Sequence, residues 1–201
     1  ITDEYKGDFN EIKNNLNGCI DVMSGLLKET DTLIRATKNG QLDKRGNVTR
    51  FTGGWAELVS GVNELIDAFV GPINVTAEYV DRISKGDIPP KITDEYKGDF
   101  NEIKNNLNGC IDVMNSLIED TEELIDSVQM GNLDSSASPD KYIGAWKNLV
   151  ISINTMIKTF VEHLDAVPTP IMLVDKEFNI LFMNKFGAEL GKSFRENLIG
   201  T

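Results

Sequence analysis

Two stretches of this chain are identical over 23 residues, and this repetition limits the possible folds more strongly than any other feature. The sequence ITDEYKGDFNEIKNNLNGCIDVM occupies residues 1–23 and again residues 92–114, at an offset of 91. An identical match of that length within 201 residues requires the duplication of a segment. A chain built by duplication is expected to fold as an array of similar supersecondary units, each stacked on its neighbours.

A shorter pattern shows that the repeating unit is half as long as this offset. An aromatic residue, a glycine two places on and a second aromatic residue two places later are followed by two spaced apolar residues and an asparagine. The pattern occurs four times, and its second aromatic residue is Phe9, Trp55, Phe100 and Trp146. The steps between these residues are 46, 45 and 46. The sequence therefore predicts similar units in series, one for each step.

Behind each of these aromatic residues, apolar side chains recur at helical spacing. From Phe100 they advance in steps of 3, 4, 4, 3, 4, 3, 4 and 3, and the first and second repeats show the same steps. Alternating steps of 3 and 4 are typical of a coiled coil, and two successive fours form a stutter that unwinds the supercoil locally. The pattern predicts helices of about 29 residues, roughly 43 Å long. These positions, here called the seam, are Phe9, Ile12, Leu16, Ile20, Met23, Leu27, Thr30, Ile34 and Thr37; Trp55, Leu58, Val62, Ile66, Phe69, Ile73, Thr76, Val80 and Ile83; Phe100, Ile103, Leu107, Ile111, Met114, Ile118, Thr121, Ile125 and Val128; and Trp146, Leu149, Ile153, Ile157, Phe160, Leu164 and Val167.

Each predicted helix ends at a glycine, and a polar connector then leads to the next aromatic pattern. Glycine is preferred just past a helix C-terminus because it adopts the left-handed backbone conformation without strain. The connector after Gly86 contains Pro89-Pro90, which exclude helix and favour an extended path. Apolar residues are expected to pin the connectors to the helices. The helix-ending glycines are Gly40, Gly86 and Gly131, the first pins are Leu42, Ile88 and Leu133, and the second pins are Ile92, Ala137 and either Gly46 or Val48.

The connector length predicts that consecutive helices run in the same direction. Helices joined by two to five residues lie antiparallel, whereas about 10 to 14 connector residues can run back beside a three-turn helix. Two helices with one apolar stripe each cannot enclose a core. We therefore expect a second copy of the chain to complete each unit, which gives tandem parallel four-helix bundles in an obligate homodimer.

The charge and the residue types argue against several classes of function. A formal net charge of −12, with no basic stripe, argues against nucleic-acid binding. No apolar run approaches the roughly 20 residues of a membrane span. His163, the only histidine, and two distant cysteines cannot supply a metal site, and the glycines form no phosphate-binding loop. We expect no catalytic, cofactor-binding or metal-binding residue, and we expect Cys19 and Cys110 to be small buried residues in a reducing compartment.

The repeated elements resemble the HAMP domain, the signal-relay module of chemotaxis receptors and sensor kinases. The resemblance is carried by Pro72 opening a helix, the helix end at Gly86-Asp87-Ile88, then Ile92, Asp94-Glu95, Gly98 and Asn108. It implies a mainly α fold made of stacked dimeric HAMP units. The predicted segments are the second helix of a truncated unit (1–26) and three HAMP units (27–70, 71–116 and 117–163).

Residues 164–201 differ in style and resemble the start of a PAS sensor domain. Pro168-Thr169-Pro170 ends the helix, and short apolar runs at 171–174 and 180–183 flank a polar turn, which predicts a strand-turn-strand element. Asn184 follows the second strand and begins a short helical stretch. The resemblance implies a truncated α/β PAS N-terminus. Because the chain also starts inside a repeat, we expect it to be a piece of a longer protein.

The resemblance implies a non-catalytic signal relay in the cytoplasmic segment of a chemotaxis-type bacterial transducer. The implied partners are a second copy of the chain and, within the parent protein, an upstream sensory module and a downstream methyl-accepting or kinase module. Anchoring of the parent in the inner membrane stays open. Two alternatives are a passive coiled-coil spacer and the linker region of a PAS-containing sensor histidine kinase.

A relay needs two packings of similar free energy, and threonine in the seam favours them. Thr30, Thr76 and Thr121 occupy the same layer of successive repeats, and such layers pack less firmly than aliphatic ones. Coupling of about 1–3 kcal/mol per junction would suffice to pass a change along the array. The residues expected to have a structural or relay role are Gly40, Gly86, Gly131, Leu42, Ile88, Ile92, Leu133, Pro72, Trp55, Phe100, Trp146, Thr76 and Thr121.

Overall fold

The computed structural model describes residues 1–191 of the chain. These residues are mainly helical, with one pair of short strands near the end. Three of the long helices contain 31 residues each, close to the predicted length. The elements in chain order are α1 (Asp8–Lys38), α2 (Gly54–Ser84), α3 (Asp99–Gln129), α4 (Gly144–Asp165), β1 (Met172–Val174), β2 (Ile180–Met183) and α5 (Lys185–Leu190).

The first three helices end at glycine, as predicted. Gly86 has a φ angle of 79°, and its N–H donates to the carbonyl of Ile83 while the N–H of Asp87 donates to the carbonyl of Arg82. This pair of bonds is the Schellman motif, which satisfies carbonyls that the helix leaves unpaired. The same pair of bonds follows α1 and α3. The first pins Leu42, Ile88 and Leu133 come two residues after these glycines and are half-buried.

Glycine also has a structural role at the helix start, where the glycine of the aromatic pattern lies. Gly53, which precedes α2, has φ 55° and ψ −141°, a conformation that is essentially restricted to glycine. Its carbonyl accepts the first backbone bonds of the helix, from Ala56 and Glu57. The pattern thus contains a glycine where the chain turns sharply from connector into helix.

The chain forms two compact units: Ile1–Asp87 with Lys97–Ile103, and Ile88–Tyr96 with Lys104–Thr201. In the first unit, successive connector residues contact successively earlier residues of α1. The contacting pairs are Gly46–Leu33, Arg50–Glu29 and Phe51–Gly25. Asn63 of α2 is bonded to Gly46 and therefore lies level with Leu33. Helices α1 and α2 thus run in the same direction, as the connector length predicts.

The second unit repeats this arrangement with α3 and α4. Tyr142, just before α4, bonds to Asp120 of α3. The earlier connector residue Ala137 lines one cleft with Leu124, four residues further along α3, and bonds to Asn154, ten residues into α4. Helices α3 and α4 therefore also run in the same direction.

Two of the connectors differ in one detail from the sequence prediction. The connectors before α2 and α4 contain a turn of 3-10 helix, Val48–Arg50 and Pro139–Lys141, although a non-helical path was expected. Asn47 caps the first turn and Pro139 begins the second, so local side-chain chemistry favours both. The connector with Pro89-Pro90 runs without helix from residue 87 to residue 97, as predicted.

The prediction that Pro72 opens a helix is wrong. Pro72 lies inside α2, which begins at Gly54 and continues to Ser84. Proline removes one backbone hydrogen bond from a helix interior, but the seam keeps its spacing on both sides of it, so the apolar face favours a continuous helix. The Thr76 hydroxyl donates to the Pro72 carbonyl at 2.8 Å.

The strand prediction near the end of the described residues is confirmed. Strands β1 and β2 pair antiparallel, with Met172 opposite Met183 and Leu173 opposite Phe182. The turn is closed by Asp175, whose carboxylate accepts from the Asn179 backbone N–H at 2.8 Å and from its side-chain amide at 2.7 Å. These bonds lower the pKa of Asp175. The last ten residues of the predicted PAS segment, 192–201, lie outside the described residues.

Full burial within one chain falls mostly beside the seam and seldom on it. In α1 the seven large apolar seam residues are 47–71% exposed, and in α2 five of them are 43–52% exposed. The apolar residues that are buried on the helices are mostly sequence neighbours of seam residues, because the connector of the same chain covers that flank. They are Leu33, Ala36, Val59, Leu124, Val150 and Val161, at 1–7% exposure; Ile111, at 1%, is a buried member of the seam itself.

Candidate functional site

One asparagine in each repeat ties the helix that follows a connector to that connector. The side chain of Asn108 accepts from the N–H of Ile92 at 2.8 Å and donates to the carbonyl of the same residue at 3.0 Å. Asn63 makes the same two bonds to Gly46, at 2.7 and 3.0 Å, and Asn154 makes them to Ala137, at 3.0 and 2.8 Å. Each asparagine thus replaces the strand partner that an extended connector residue would otherwise lack.

The same pairing occurs at the start of the chain, where Asn17 bonds to both backbone groups of Ile1. We call these paired bonds the asparagine clamp. The four asparagines are the last residue of the fourfold sequence pattern, but their role was missed. Their recurrence at one position, in a helix whose other recurring residues are apolar, was the signal that could have revealed it.

The clamp settles which residue is the second pin in the connector before α2. It is Gly46, which is buried, and not Val48. A Cβ at Gly46 would lie 2.8 Å from Cγ1 of Val59, so Val59 from α2 fills the space that Ile92 fills in the next repeat. Val59 is 3% exposed and Ile92 is 7% exposed.

This exchange of volume between connector and helix recurs along the chain. Where the pin is Ile92, the helix residue at the Val59 position is Lys104, whose ammonium donates to the carbonyl of Asp94 at 3.3 Å. Where the pin is Ala137, the helix residue is Val150, which is 1% exposed. Small pins therefore accompany valine, and the isoleucine pin accompanies lysine, because only one side of the contact can fill the space.

A buried carboxylate joins α3 to the connector before α4. Asp120 is 8% exposed and accepts from the Lys141 ammonium at 2.7 Å and from the Tyr142 hydroxyl at 2.8 Å. The hydrogen bond from Lys141 lowers the pKa of Asp120, with a further contribution from Tyr142. Burial, reinforced by the bond to Asp120, raises the pKa of Tyr142 to about 12. The cluster holds a carboxylate that stays ionised and a phenol that stays protonated at neutral pH.

The first repeat has an equivalent contact, and the second repeat does not share its chemistry. Glu29 accepts from the Arg50 guanidinium at 3.0 Å and from the backbone N–H of Asn47 at 2.8 Å. In the intervening repeat, Val75 and Glu95 occupy the places of the acid and the base. The first and third repeats are thus alike, which agrees with the offset of 91 between the identical segments.

The seam of α2 faces an open groove that the start of α3 helps to line. The groove has a volume of about 520 Å³ and includes Ile73, Thr76, Val80, Phe100 and Ile103. Its lining is almost entirely apolar. An apolar groove of this kind, left open by one chain, is the surface on which another apolar helix face packs.

Two predicted relay positions within the seam satisfy their polar groups locally. The Thr121 hydroxyl donates to the carbonyl of Leu117 at 2.6 Å, four residues earlier in the same helix, and Thr76 does likewise with Pro72. Both side chains are half-buried. Their methyl groups are therefore free to join an apolar layer without leaving a hydroxyl unpaired.

The aromatic residues of the repeated pattern are only partly covered by one chain. Trp55 is 43% exposed and Trp146 is 40% exposed. Phe100 is half-buried and packs edge-on against Phe69, with ring centroids 5.7 Å apart and planes at 69°. For these residues to lie in a bundle core, as expected, further apolar surface must cover them.

The cysteines do not match their prediction. Cys19 and Cys110, expected to be buried, are both exposed. Each lies one residue before a seam isoleucine. His163 is exposed in the last turn of α4.

Asn184 is the most completely buried polar residue among the described residues, at 0% exposure. Its side-chain oxygen accepts from the N–H of Ile171 at 2.9 Å and of Gly187 at 3.1 Å. Its amide nitrogen lies within hydrogen-bond distance of three carbonyls that follow or end α4. These belong to Leu164, Val167 and Thr169, at 3.1, 3.3 and 2.9 Å.

The described part of the chain contains neither a cluster of metal ligands nor a helix that could span a membrane. Residues 1–191 contain no group of three or more His, Cys, Asp and Glu side chains that could hold a metal ion. No helix among them is both long and apolar enough to cross a bilayer.

Comparison with known proteins identifies one family. No solved structure matches this chain. The family model of the HAMP domain matches residues 1–25 and 50–116, which include all of α2, the connector with Pro89-Pro90 and α3 as far as residue 116. Residues 1–25 and 50–116 therefore match a HAMP domain, which is a signal-relay linker of bacterial sensors.

Proposed function

We propose that two copies of this chain pair in parallel to form a series of stacked HAMP bundles, which relay a conformational change along a chemotaxis-type sensory transducer. The observation that carries the proposal is the exposed seam. All seven large apolar seam residues of α1 and five of those in α2 are left exposed by a single chain. Burying one such Leu, Ile or Phe contributes roughly 1.5–3 kcal/mol, so a second copy that covers the seam gains a large apolar surface.

The direction of the helices supports a parallel pairing. Helices α1 and α2 run in the same direction, so their seams are parallel. A second copy related by a twofold axis along the helices would complete a four-helix bundle with all helices parallel. The asparagine clamp would keep the connector outside this bundle, on the flank where Leu33 and Val59 are buried.

Continuity of the helices supports a relay. Helix α2 contains the seam of one predicted unit up to residue 70 and of the next from residue 71, without interruption at Pro72. A rotation or tightening of α2 in one bundle must therefore be passed to the next. The stutter in each helix changes the phase of the seam between units, so adjacent bundles need not share one packing.

The chemotaxis assignment and the sensor domain are further parts of this proposal. We infer that residues 164–201 begin a PAS domain that receives or delivers the signal. The paired strands β1 and β2, followed by Asn184 and α5, support this inference. The third unit, residues 117–163, lies outside the matched residues and is supported by its repeated clamp at Asn154.

The experiment that tests the dimer is a measurement of mass in solution by light scattering or sedimentation. We expect twice the mass of the 22.3 kDa chain. Ile118→Asp, at a seam residue that is 46% exposed, should dissociate or unfold the dimer. Asn115→Asp, at an exposed position of the same helix, is the matched control and should preserve it. A folded wild-type monomer would reject the proposal.

The relay itself is tested by a change of helical phase. Insertion of one residue between 108 and 112 rotates everything that follows by about 100°, since a helix has about 3.6 residues per turn. In the parent protein this insertion should invert or abolish the output, whereas an insertion of seven residues should disturb it less because it nearly restores the phase. An output unchanged by the single insertion would favour a passive spacer.

A further inference from the structure

The strand pair rests on the glycine that ends α3. A Cβ built on Gly131 would overlap the Cβ of Leu181 in β2 and would lie 3.1 Å from Cδ2 of Leu173 in β1. At the equivalent helix ends, Gly40 and Gly86 have φ angles of 75° and 79°, close to the 85° of Gly131, but nothing would lie within 4 Å of their Cβ. Gly131 therefore has a second role that these glycines lack: it permits the two strands to come close to the end of α3.

The same strand pair is also bonded to the end of α4. Asn184, directly after β2, donates to carbonyls of the last turn of α4 and of the segment that follows it. The carboxylate of Asp165, the last residue of α4, accepts from the backbone N–H of Lys185 at 2.7 Å. The hydrogen bonds from the fully buried side-chain amide of Asn184, together with the bond to Asp165, hold the strands to α4 in one orientation.

We propose that the strand pair is a coupling element that bridges the ends of α3 and α4 and responds to their relative position. It touches α3 through Leu173 and Leu181 at Gly131, and it is bonded to α4 through Asn184 and Asp165. A shift of one helix along the other must strain one attachment, because the hydrogen bonds to α4 are directional and the contact at Gly131 has no spare room. The strand pair therefore loosens when the two helices move. This inference rests on the proposed relay, since it gives the relay a point of exit or entry.

The attachment to α3 is tested by hydrogen exchange of the backbone amides of Ile171 and Asn184, in the full chain. These two residues flank the strands and bond to each other: the Ile171 N–H donates to Oδ1 of Asn184, and the Asn184 N–H donates to the carbonyl of Ile171. Gly131→Ala adds a Cβ that meets the strands, while Gly40→Ala adds the same Cβ at a similar φ in open space. We expect exchange of the two amides to rise at least about tenfold in Gly131→Ala and to stay at the wild-type rate in Gly40→Ala. Equal rates in the two variants would overturn the proposal.

A second variant keeps the helix end intact. Leu181→Ala removes the contact from the strand side, and Leu190→Ala, at a 63% exposed position in α5, is its control. Faster exchange is expected only in Leu181→Ala. If neither variant differs from wild type, Leu181 does not fasten the strands and the proposal is wrong.

The response to helix position is tested by releasing the clamp of the last repeat. Asn154→Ala frees the connector at Ala137 from α4 and should increase exchange at Ile171 and Asn184, whereas Asn148→Ala at an exposed site of the same helix should not. Identical exchange in both variants would refute the coupling. The proposed function fails differently: an output insensitive to the phase insertion would reject the relay but would leave this difference in exchange in place.

Discussion

The hydroxyl of Tyr142 donates a 2.8 Å hydrogen bond to Oδ2 of Asp120, a residue that lies 22 positions earlier and is buried beside it. Lys141 donates to the other carboxylate oxygen at 2.7 Å. Two successive residues of the connector thus share both oxygens of one acid on α3. This contact fixes the height at which the connector meets the helix, and therefore where α4 begins.

Replacement of Asp120 by Asn should destabilise the chain by about 1–3 kcal/mol, because a charge-assisted bond is lost and the Tyr142 hydroxyl must find a neutral acceptor. Thermal or urea unfolding would measure the change. Asp140→Asn is the control, since Asp140 pairs with Lys147 at the surface with its side chain 86% exposed. Exposed pairs contribute about 0–1 kcal/mol. Equal effects at the two sites would contradict the structural role of Asp120.

The contribution of Asp120 should depend on pH in a defined direction. The bond from Lys141 lowers the pKa of the folded-state carboxyl below its ordinary value of 3.8. The stability gained from this shift is fully present above the unfolded pKa and is lost as pH falls through the folded pKa. The difference in unfolding free energy between wild type and Asp120→Asn should therefore be constant near neutrality and shrink below about pH 4. A difference that persists undiminished in strong acid would show that the charge is irrelevant.

At the alkaline end, Tyr142 should ionise at an unusually high pH. Its pKa is raised to about 12 by burial and by the bond to Asp120. A raised pKa gives stability that is fully present below the unfolded pKa, near 10, and is lost as pH rises through the folded value. Absorbance titration of tyrosinate should show one delayed step among the four tyrosines, and Tyr142→Phe should remove that step. Uniform titration in the wild type would argue against a buried phenol.

The asparagine clamp should contribute to the stability of the fold. Asn108→Ala leaves the N–H and carbonyl of Ile92 without their partners, which should cost about 1–3 kcal/mol. Amide exchange at Ile92 should accelerate with it. Asn105→Ala, at an exposed position three residues earlier on α3, should change neither quantity. If both variants behave alike, the clamp does not hold the connector.

How much of this could be read from the sequence differs between local and tertiary features. Helix lengths, the glycine ends and the strand pair follow from spacing and backbone preference, which act over a few residues, and the structure agrees with those predictions. The partners of Asn108 and Asp120 lie 16 and 21 or 22 residues away in connectors with no periodicity. Their pairing depends on where the connector meets the helix, which no local pattern encodes. The burial of Leu33 beside the seam was missed for the same reason.

Threonine in the seam distinguishes a relay from a spacer. Thr121→Val and Thr76→Val replace a hydroxyl, now bonded within the helix, by a methyl group in the predicted core, and should raise stability by about 0.5–1 kcal/mol. In a relay the firmer layer should also bias the output of the parent protein. Thr32→Val, at an exposed site whose hydroxyl bonds to Lys28 in the same way, should do neither. Greater stability with unchanged output would favour the spacer.

The exchange of volume between connector and helix gives a double-mutant test. Gly46→Ile alone places a side chain against Val59, whose Cγ1 would be 2.8 Å from the new Cβ, and overpacking of this kind costs about 1–3 kcal/mol. Val59→Lys alone leaves the space beside Gly46 unfilled and brings a charge to a position that is 3% exposed.

Together the two changes recreate the pair that Ile92 and Lys104 form one repeat later, where the isoleucine fills the space and the lysine reaches a connector carbonyl. The double variant should therefore be more stable than the sum of the single effects predicts, by at least about 1 kcal/mol in an unfolding cycle. Additive losses would mean that the two repeats solve this contact independently. A positive coupling would show that two packings of this contact are interchangeable: a small pin with a valine, and a large pin with a lysine. A chain built by duplication can then use one packing in one repeat and the other packing in the next.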